Sequence, residues 1–181
     1  MTRFKETYQK VAVPVLKEEF KYTNPHQVPR ITKVVVSAGV GRAVSDAKHL
    51  DAAAETLARI TGQHPVVTVA RKSIASFKLR EGNKVGTTVT LRGARAEEFL
   101  DLLVAAVLPR IRDFRGISDT AFDANGNYSL GLNDQSIFPQ IPFDEVGAVH
   151  GLQVNVVTTA KSPAEGKRLL QLMGFPFRRN A

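Results

Sequence analysis

From Val85 to Arg92 the sequence alternates strictly, with Val85, Thr87, Val89 and Leu91 on one side of an extended chain and Gly86, Thr88, Thr90 and Arg92 on the other. Such a strand needs a core under one face and polar company over the other, which confines the fold to a sheet covered on one side. A shorter strand is predicted over residues 65–70. The loop between the two, residues 71–83, sets Arg71, Lys72, Lys78 and Arg80 against Glu81 alone. Residues 61–93 together hold six basic side chains and one acid, so +5 of the chain's +8. Cations suit phosphates, and a threonine-rich face suits 2′-hydroxyls and base edges, so the stretch points to RNA.

The whole chain is consistent with that reading. Its 181 residues are 43% apolar, enough to bury a core, and they predict one RNA-binding domain over 1–181. Lys and Arg number 25 against 17 Asp and Glu, which favours a polyanionic partner. The absence of cysteine excludes disulfides and thiolate zinc sites and suits a reducing compartment. No apolar run is long enough to span a bilayer and the first residues lack a signal-peptide pattern, so no membrane partner and a cytoplasmic location are expected. Residues 117–160 contain five acids and no Lys or Arg, an acidic flank on a basic protein. Two kinds of partner are therefore expected.

Along the chain, Phe4, Tyr8, Val11 and Val15 recur at helical spacing, with Pro14 placed to kink the helix. Residues 31–37 read as a strand. Ser45 and Asp46 are placed to cap a helix with Leu50, Ala54 and Leu57 inside and Gly62 past its end. Phe99, Leu102, Leu103, Ala106 and Val107 form the clearest helical stripe, closed by Pro109. Asn125-Gly126 marks a turn into a strand with Tyr128, Leu130 and Leu132 inward, and a further strand turns Leu152, Val154 and Val156 inward against Gln153 and Asn155. Ser162, Pro163 and Glu165 open a last helix with Leu169, Leu172 and Met173 inside. The order α-β-α-β-β-α-β-β-α argues an α+β single domain with a largely antiparallel sheet, one face covered by helices and the other polar and RNA-binding. That polar face is expected to show Thr88, Thr90, Ser129, Gln153 and Asn155.

Catalytic and metal-binding patterns fail on inspection. Gly39-Val40-Gly41 follows a strand, but Val44 breaks the dinucleotide fingerprint and the segment reads as a tight turn. Asp123, Asn125 and Asn127 begin like a calcium loop, yet Tyr128 stands where glycine is required. The four histidines are isolated, and no nucleophile elbow or paired carboxylates can be picked out, so neither an enzyme nor a metal or other cofactor is expected. The strongest helix carries no basic face for a DNA major groove, and no aromatic RNA-recognition pattern lies on a strand. Shape and backbone recognition of structured RNA is the reading that remains.

Long blocks of this sequence carry a resemblance. VVVSAGVGRA, ITGQHPVVTVARKSIASFKLREG, VGTTVTLRG, FLDLLVAAVLPRIRDFRG, FDANGNYSLGL, IFPQI and LLQLMGFPFR together resemble the family of the bacterial large-subunit ribosomal protein numbered five. The resemblance implies a protein of the central protuberance that binds 5S rRNA and helps attach it to the subunit, beside 23S rRNA and other 5S rRNA-binding proteins. It further implies contact with P-site tRNA and a bridge to the small-subunit protein numbered thirteen. Carried over by position, the rRNA-binding residues are Gln63 and Thr90, with Ser37 where the family usually has Asn. Thr88 and Arg92 join them on the same strand by the alternation. The tRNA-facing loop supplies Arg71, Lys72, Ser73, Phe77, Lys78 and Arg80. The bridge surface supplies Arg110, Arg112, Asp113, Asp134, Asp144 and Glu145, with Gln140 where the family has an acid and Pro142 shortly after.

Overall fold

A computed structural model describes residues 2–44, 46–142 and 149–178. Its elements run α1 (Arg3–Thr7), α2 (Val13–Glu19), β1 (Ile31–Gly39), α3 (Lys48–Thr61), β2 (Val66–Val69), β3 (Lys84–Leu91), α4 (Ala94–Leu102), β4 (Tyr128–Leu132), β5 (Leu152–Thr158) and α5 (Pro163–Leu172). The five strands form one antiparallel sheet in the order β2-β3-β1-β5-β4, so the α+β class expected from the sequence is what forms. The described residues divide into two compact units. One comprises Met1–Val34, Leu91–Leu130 and Asn155–Ala181, the other Val35–Thr90 and Gly131–Val154. Several of the boundaries fall inside strands rather than at linkers.

In the first unit the N-terminal helical run contains a wide turn over Tyr8–Ala12, where the Val13 N–H reaches back to the Tyr8 carbonyl. Pro14 has no N–H to close the ordinary bond to Lys10, and the helix widens immediately before it. The extra residue rotates the apolar stripe. Phe4, Ala12 and Leu16 are buried, while Val11 is 44% exposed, against the inward position its spacing suggests. α4 continues into a second wide turn over Leu103–Val107. There Phe99, Leu100, Leu103 and Val107 are buried, and Leu102 and Ala106 are only half-buried.

The Asn125-Gly126 turn is built by Asp123, whose carboxylate accepts the backbone N–H groups of Asn125 and Asn127 at 3.0 and 2.7 Å and the Asn127 side-chain amide at 2.7 Å. The residues that begin like a calcium loop thus form a self-contained clasp. Asn127 in turn accepts the Thr158 N–H at 3.0 Å, and the Gly126 carbonyl accepts the Thr158 hydroxyl. A β-carbon at Gly166 on α5 would stand 2.3 Å from the Gly126 carbonyl oxygen, so backbone passes over backbone and only glycine fits. At the head of α5, Ser162 accepts the Glu165 N–H and Pro163 holds the first helical position. The inner stripe is Leu169, Leu170 and Met173, with Leu172 half-buried instead of Leu170.

In the second unit, Asp46 accepts the Lys48 N–H at 3.0 Å at the start of α3; Ser45, expected beside it, lies outside the described residues. Leu50, Ala53, Leu57 and Ile60 are buried, and Ala54 is half-buried where the sequence placed it inside. Gly62 takes the left-handed conformation at φ 63° and donates to the Ala58 carbonyl, the helix stop its position suggests. β2 pairs antiparallel with β3 through Val66–Thr88, Val67–Thr87 and Thr68–Gly86. On β3 the alternation holds from Thr87 to Leu91, with Thr87, Val89 and Leu91 buried and Thr90 exposed, whereas Gly86, expected on the polar side, is buried against the Ala38 backbone and Val85 is half-buried.

Two predictions follow from these elements. Thr87 is 1% exposed and its hydroxyl has no hydrogen-bond partner, a cost an isosteric methyl removes. Thr87→Val is expected to raise unfolding free energy by about 1 kcal/mol, read from the denaturant midpoint at unchanged m-value; a lower midpoint would show the hydroxyl to be satisfied. The Asp123 clasp is pH-sensitive. The Asn127 amide and the backbone N–H groups outweigh burial and hold the Asp123 carboxyl below its usual range. Its contribution is therefore present above the unfolded value near pH 4 and lost as pH falls through the depressed folded value. Asp123→Asn should be less stable than the parent at pH 7, with the difference shrinking toward pH 3. An identical difference at both pH values would remove the carboxylate from the account.

Candidate nucleic-acid interface

Residues 71–83 do not form an open loop. The Ala70 N–H donates to Asn83 at 2.8 Å and the Gly82 N–H to Ala70 at 2.9 Å, extending the β2–β3 pairing outward. Beyond them Ile74 and Leu79 exchange two backbone hydrogen bonds, at 2.9 and 3.1 Å, and Ser73 accepts the Glu81 N–H at 2.9 Å. A short helical turn over Ala75–Phe77 is closed by Lys78 in the left-handed region at φ 52°. The loop read from the sequence is a laced hairpin, held by the Ile74–Leu79 backbone pair and by Ser73. Its two arms are joined by backbone hydrogen bonds and the Ser73 side chain, and its four cations project from that support. Arg71, Lys72, Ser73, Phe77, Lys78 and Arg80 are all exposed, Phe77 at 72%.

An apolar strip that the sequence pattern did not isolate leads to this tip. Val66, Val67 and Val69 on the edge strand β2 are exposed, as is Ile74. The clue was available in the short strand's uninterrupted β-branched residues, which show no alternation and so do not commit one face to a core.

At the other end of β2 the chain leaves α3 through Thr61, whose hydroxyl donates to the Leu57 carbonyl at 2.7 Å and accepts the Gln63 N–H at 3.4 Å. With Gly62 in its left-handed turn, this aims Gln63 across to β3, where its Nε2 donates to the Thr90 carbonyl at 3.3 Å. Gln63 and Thr90 thus meet, although 27 residues separate them. One amide proton of Gln63 is committed to that bond, whereas the Thr90 side chain is exposed. Thr88 is half-buried and its hydroxyl donates to the Val36 carbonyl at 3.4 Å, so it is tied into the sheet more than Thr90. Ser37 is half-buried, and Arg92, two residues beyond Thr90, is exposed. Gly86 has to be glycine, since a β-carbon there would lie 2.6 Å from the Ala38 carbonyl oxygen.

The residues expected at a bridge are distributed differently. Arg110, Arg112 and Asp113 are exposed on a segment fastened at its far end, where the Arg178 guanidinium donates to the Gly116 carbonyl at 3.1 Å. Asp113 sits at φ 54°. The Asp134 carboxylate accepts the Ser136 N–H at 2.7 Å and is half-buried, which makes it a turn cap first. Gln140 and Pro142 are exposed, and Asp144 and Glu145 lie outside the described residues. Ser129 and Gln153 are exposed and Asn155 is half-buried, each on the non-core side of its strand.

Residues 24–80 match the family model described as Ribosomal protein L5, and residues 84–177 match the model of that ribosomal family's C-terminus. The chain belongs to this family. It is similar to the large ribosomal subunit protein uL5 of Citrifermentans bemidjiense, with 55% identity over 178 residues, covering 98% of this chain and 99% of that protein. The corresponding protein of Rubrobacter xylanophilus is 54% identical over 180 residues, 99% and 100% of the two chains. That of Microcystis aeruginosa is 53% identical over 176 residues, 97% and 98%. The join between the two family models, residues 81–83, falls at the return of the basic hairpin into β3.

Proposed function

We propose that the second compact unit carries two separate RNA-binding features, an edge formed by Gln63 and Thr90 for 5S rRNA and the 71–83 hairpin for P-site tRNA. As a member of its family the chain is a structural constituent of the large ribosomal subunit in the cytoplasm, and it is not an enzyme. The finer reading rests on one observation above the others, the hydrogen bond that brings Gln63 to Thr90 beside an exposed hydroxyl. A threonine hydroxyl both donates and accepts, so it suits a 2′-hydroxyl or a base edge, and a neighbouring amide offers the same pair of roles. Ser37, Thr88 and Arg92 complete the assignment, Arg92 through phosphate.

The hairpin serves a different chemistry. Four cations and a solvent-exposed phenyl ring on a hydrogen-bonded support suit a phosphate backbone beside unstacked bases, as in a tRNA elbow. Because the backbone is already bonded to itself, binding has mainly side chains to immobilise. The bridge to the small-subunit protein numbered thirteen is assigned to Arg110, Arg112, Asp113, Asp134, Asp144 and Glu145. 23S rRNA and the other 5S rRNA-binding proteins are further partners in the same particle. The whole chain, 1–181, acts as one domain in this reading.

Thr90→Val with Gln63→Ala is expected to weaken 5S rRNA binding by about 1–3 kcal/mol, measured by filter binding over a salt series. Neither residue is charged, so the slope of log affinity against log salt should hold. Binding at full strength would sink the assignment. Replacing residues 71–83 by a two-residue turn should leave thermal stability and most 5S rRNA affinity intact while assembled ribosomes lose P-site tRNA faster. If the shortened protein instead fails to bind 5S rRNA, with a salt slope lower by roughly two to three phosphate contacts, the hairpin belongs to the primary site.

A further inference from the structure

The charge of this protein does not sit where its basic hairpin suggests. The first compact unit holds 17 Lys and Arg against 10 Asp and Glu, whereas the second, hairpin included, holds eight against seven. Seven of the eight net positive charges therefore belong to the unit that carries only Arg92 of the proposed RNA contacts. Three of its cations are paired internally, Arg168 with Glu19, Lys167 with Asp119 and Lys10 with Glu6, which leaves the net excess unchanged. Arg3, Lys5, Lys17, Lys21, Arg30 and Arg95 are exposed and take part in no ion pair among the described residues.

Two of them stand at the rim of a groove. A cavity of about 490 Å³ opens beside α1 and α4, floored by Phe4, Ala96, Leu100 and Met173, all buried apolar residues, and edged by Lys5 and Arg30. This is a volume suited to a small organic ligand or one nucleotide unit. The Tyr8 ring also lines it, its hydroxyl donating to the Pro29 carbonyl at 3.2 Å. One acid faces in as well. Glu97 accepts a hydrogen bond from the Thr2 hydroxyl through Oε2, which leaves its second oxygen without a bonded partner.

An apolar floor, an aromatic wall, two cations and a single carboxylate form a set that a nucleotide matches part by part. The base takes the floor and the ring, and the phosphates take Lys5 and Arg30. The carboxylate selects among bases, because it can only accept. Guanine alone presents two adjacent donors, N1–H and N2–H, on its Watson–Crick edge; adenine and cytosine offer one exocyclic amine each, and uracil a single imide N–H. Such an edge is open only in an unpaired nucleotide. We propose that this groove is a second RNA site, holding an unpaired guanosine whose base edge is read by Glu97 and whose flanking phosphates lie on Lys5 and Arg30. RNA is favoured over a free nucleotide by the exposed cations that adjoin the lining, Arg3 beside Phe4 and Arg95 beside Ala96, which one mononucleotide has no further phosphates to engage.

None of the groove's lining residues is among those assigned to 5S rRNA and tRNA above, so the groove is tested with a probe that neither requires. The full-length protein, ¹⁵N-labelled, is titrated with a nine-nucleotide oligouridine RNA carrying one central guanosine, and with the same RNA carrying adenosine. The expected result is a preference for guanosine of about tenfold, the lower end for one bidentate pair, with the amides of Gln9 and Gly93 shifting. Glu97→Gln, which keeps an acceptor for Thr2, should abolish the preference while the all-uridine oligomer binds as before or better. Lys5→Ala with Arg30→Ala should weaken every RNA and lower the salt slope by roughly 1.4, two contacts to a single strand. The variant with the shortened hairpin should bind the guanosine oligomer unchanged; if it does not, the binding measured is the hairpin's and the groove is not a site. Equal affinity for guanosine and adenosine, with the Gln9 and Gly93 amides unmoved, overturns the proposal. Guanosine monophosphate binding as tightly as the oligomer would make the ligand a free nucleotide and overturn the RNA assignment.

Discussion

The two-residue period of the sheet is the constraint from which the functional surface follows. Once neighbouring strands fix the backbone, Val89 and Leu91 can reach the core only if Thr90 points away from it. The same condition turns Gln153 outward between Leu152 and Val154, and Ser129 outward beside Tyr128. Polar side chains on that side are therefore obligatory consequences of the packing, and selection is free to choose which ones. Gln63 is placed by the same logic one step removed, since the helix stop at Gly62 delivers it to the carbonyl of the outward-facing Thr90.

Close backbone approach complements that alternation. Gly86 lies against the Ala38 carbonyl and Gly166 against that of Gly126, and at both places a methyl group would collide with main chain rather than with a side chain that could turn aside. At Gly126 the approach also secures the turn, because the Asp123 clasp and the Thr158 hydroxyl converge on the same few residues. Turn, strand and helix there stabilise one another locally, and the aromatic packing of Phe122, Tyr128 and Phe177 closes over them.

Where the sequence was readable, a short-range rule decided the outcome. Strand alternation gave most of the buried residues of β3, β4 and β5, missing at Val85, Gly86 and Leu130, and the cap of α5 followed from Ser162 and Pro163. Helical spacing misplaced an inward residue in four helical segments, at Val11, Ala54, Leu102 and Leu172. The wide turn over Tyr8–Ala12 inserts a residue into the repeat, so Ala12 replaces Val11, whereas in α4 the buried Ala96, Phe99, Leu100 and Leu103 keep the ordinary helical spacing and Leu102 falls beside that stripe. Pro14 signalled the wide turn, but a proline marks where a helix is disturbed without saying in which direction its stripe will turn. For the site, residue types were legible and their grouping was not. Nothing in the spacing from Gln63 to Thr90 announces that they meet, and the run from Arg71 to Asn83 reads as a loop because the hydrogen bonds lacing it are made by backbone.

That last difference alters how such a segment works. A flexible basic loop loses backbone entropy on binding at every residue it orders, roughly 1–2 kcal/mol each before side chains are counted. A hairpin held by the Ile74–Leu79 pair and by Ser73 has met most of that cost in folding, so under the proposed function its cations would bind phosphates with mainly rotamer freedom left to lose. The exposed Phe77 is then better explained as a contact surface than as a defect of a small unit. An aromatic side chain 72% exposed at the tip of an ordered hairpin has no core to return to, so the hydrophobic gain from its burial is available only to whatever docks there.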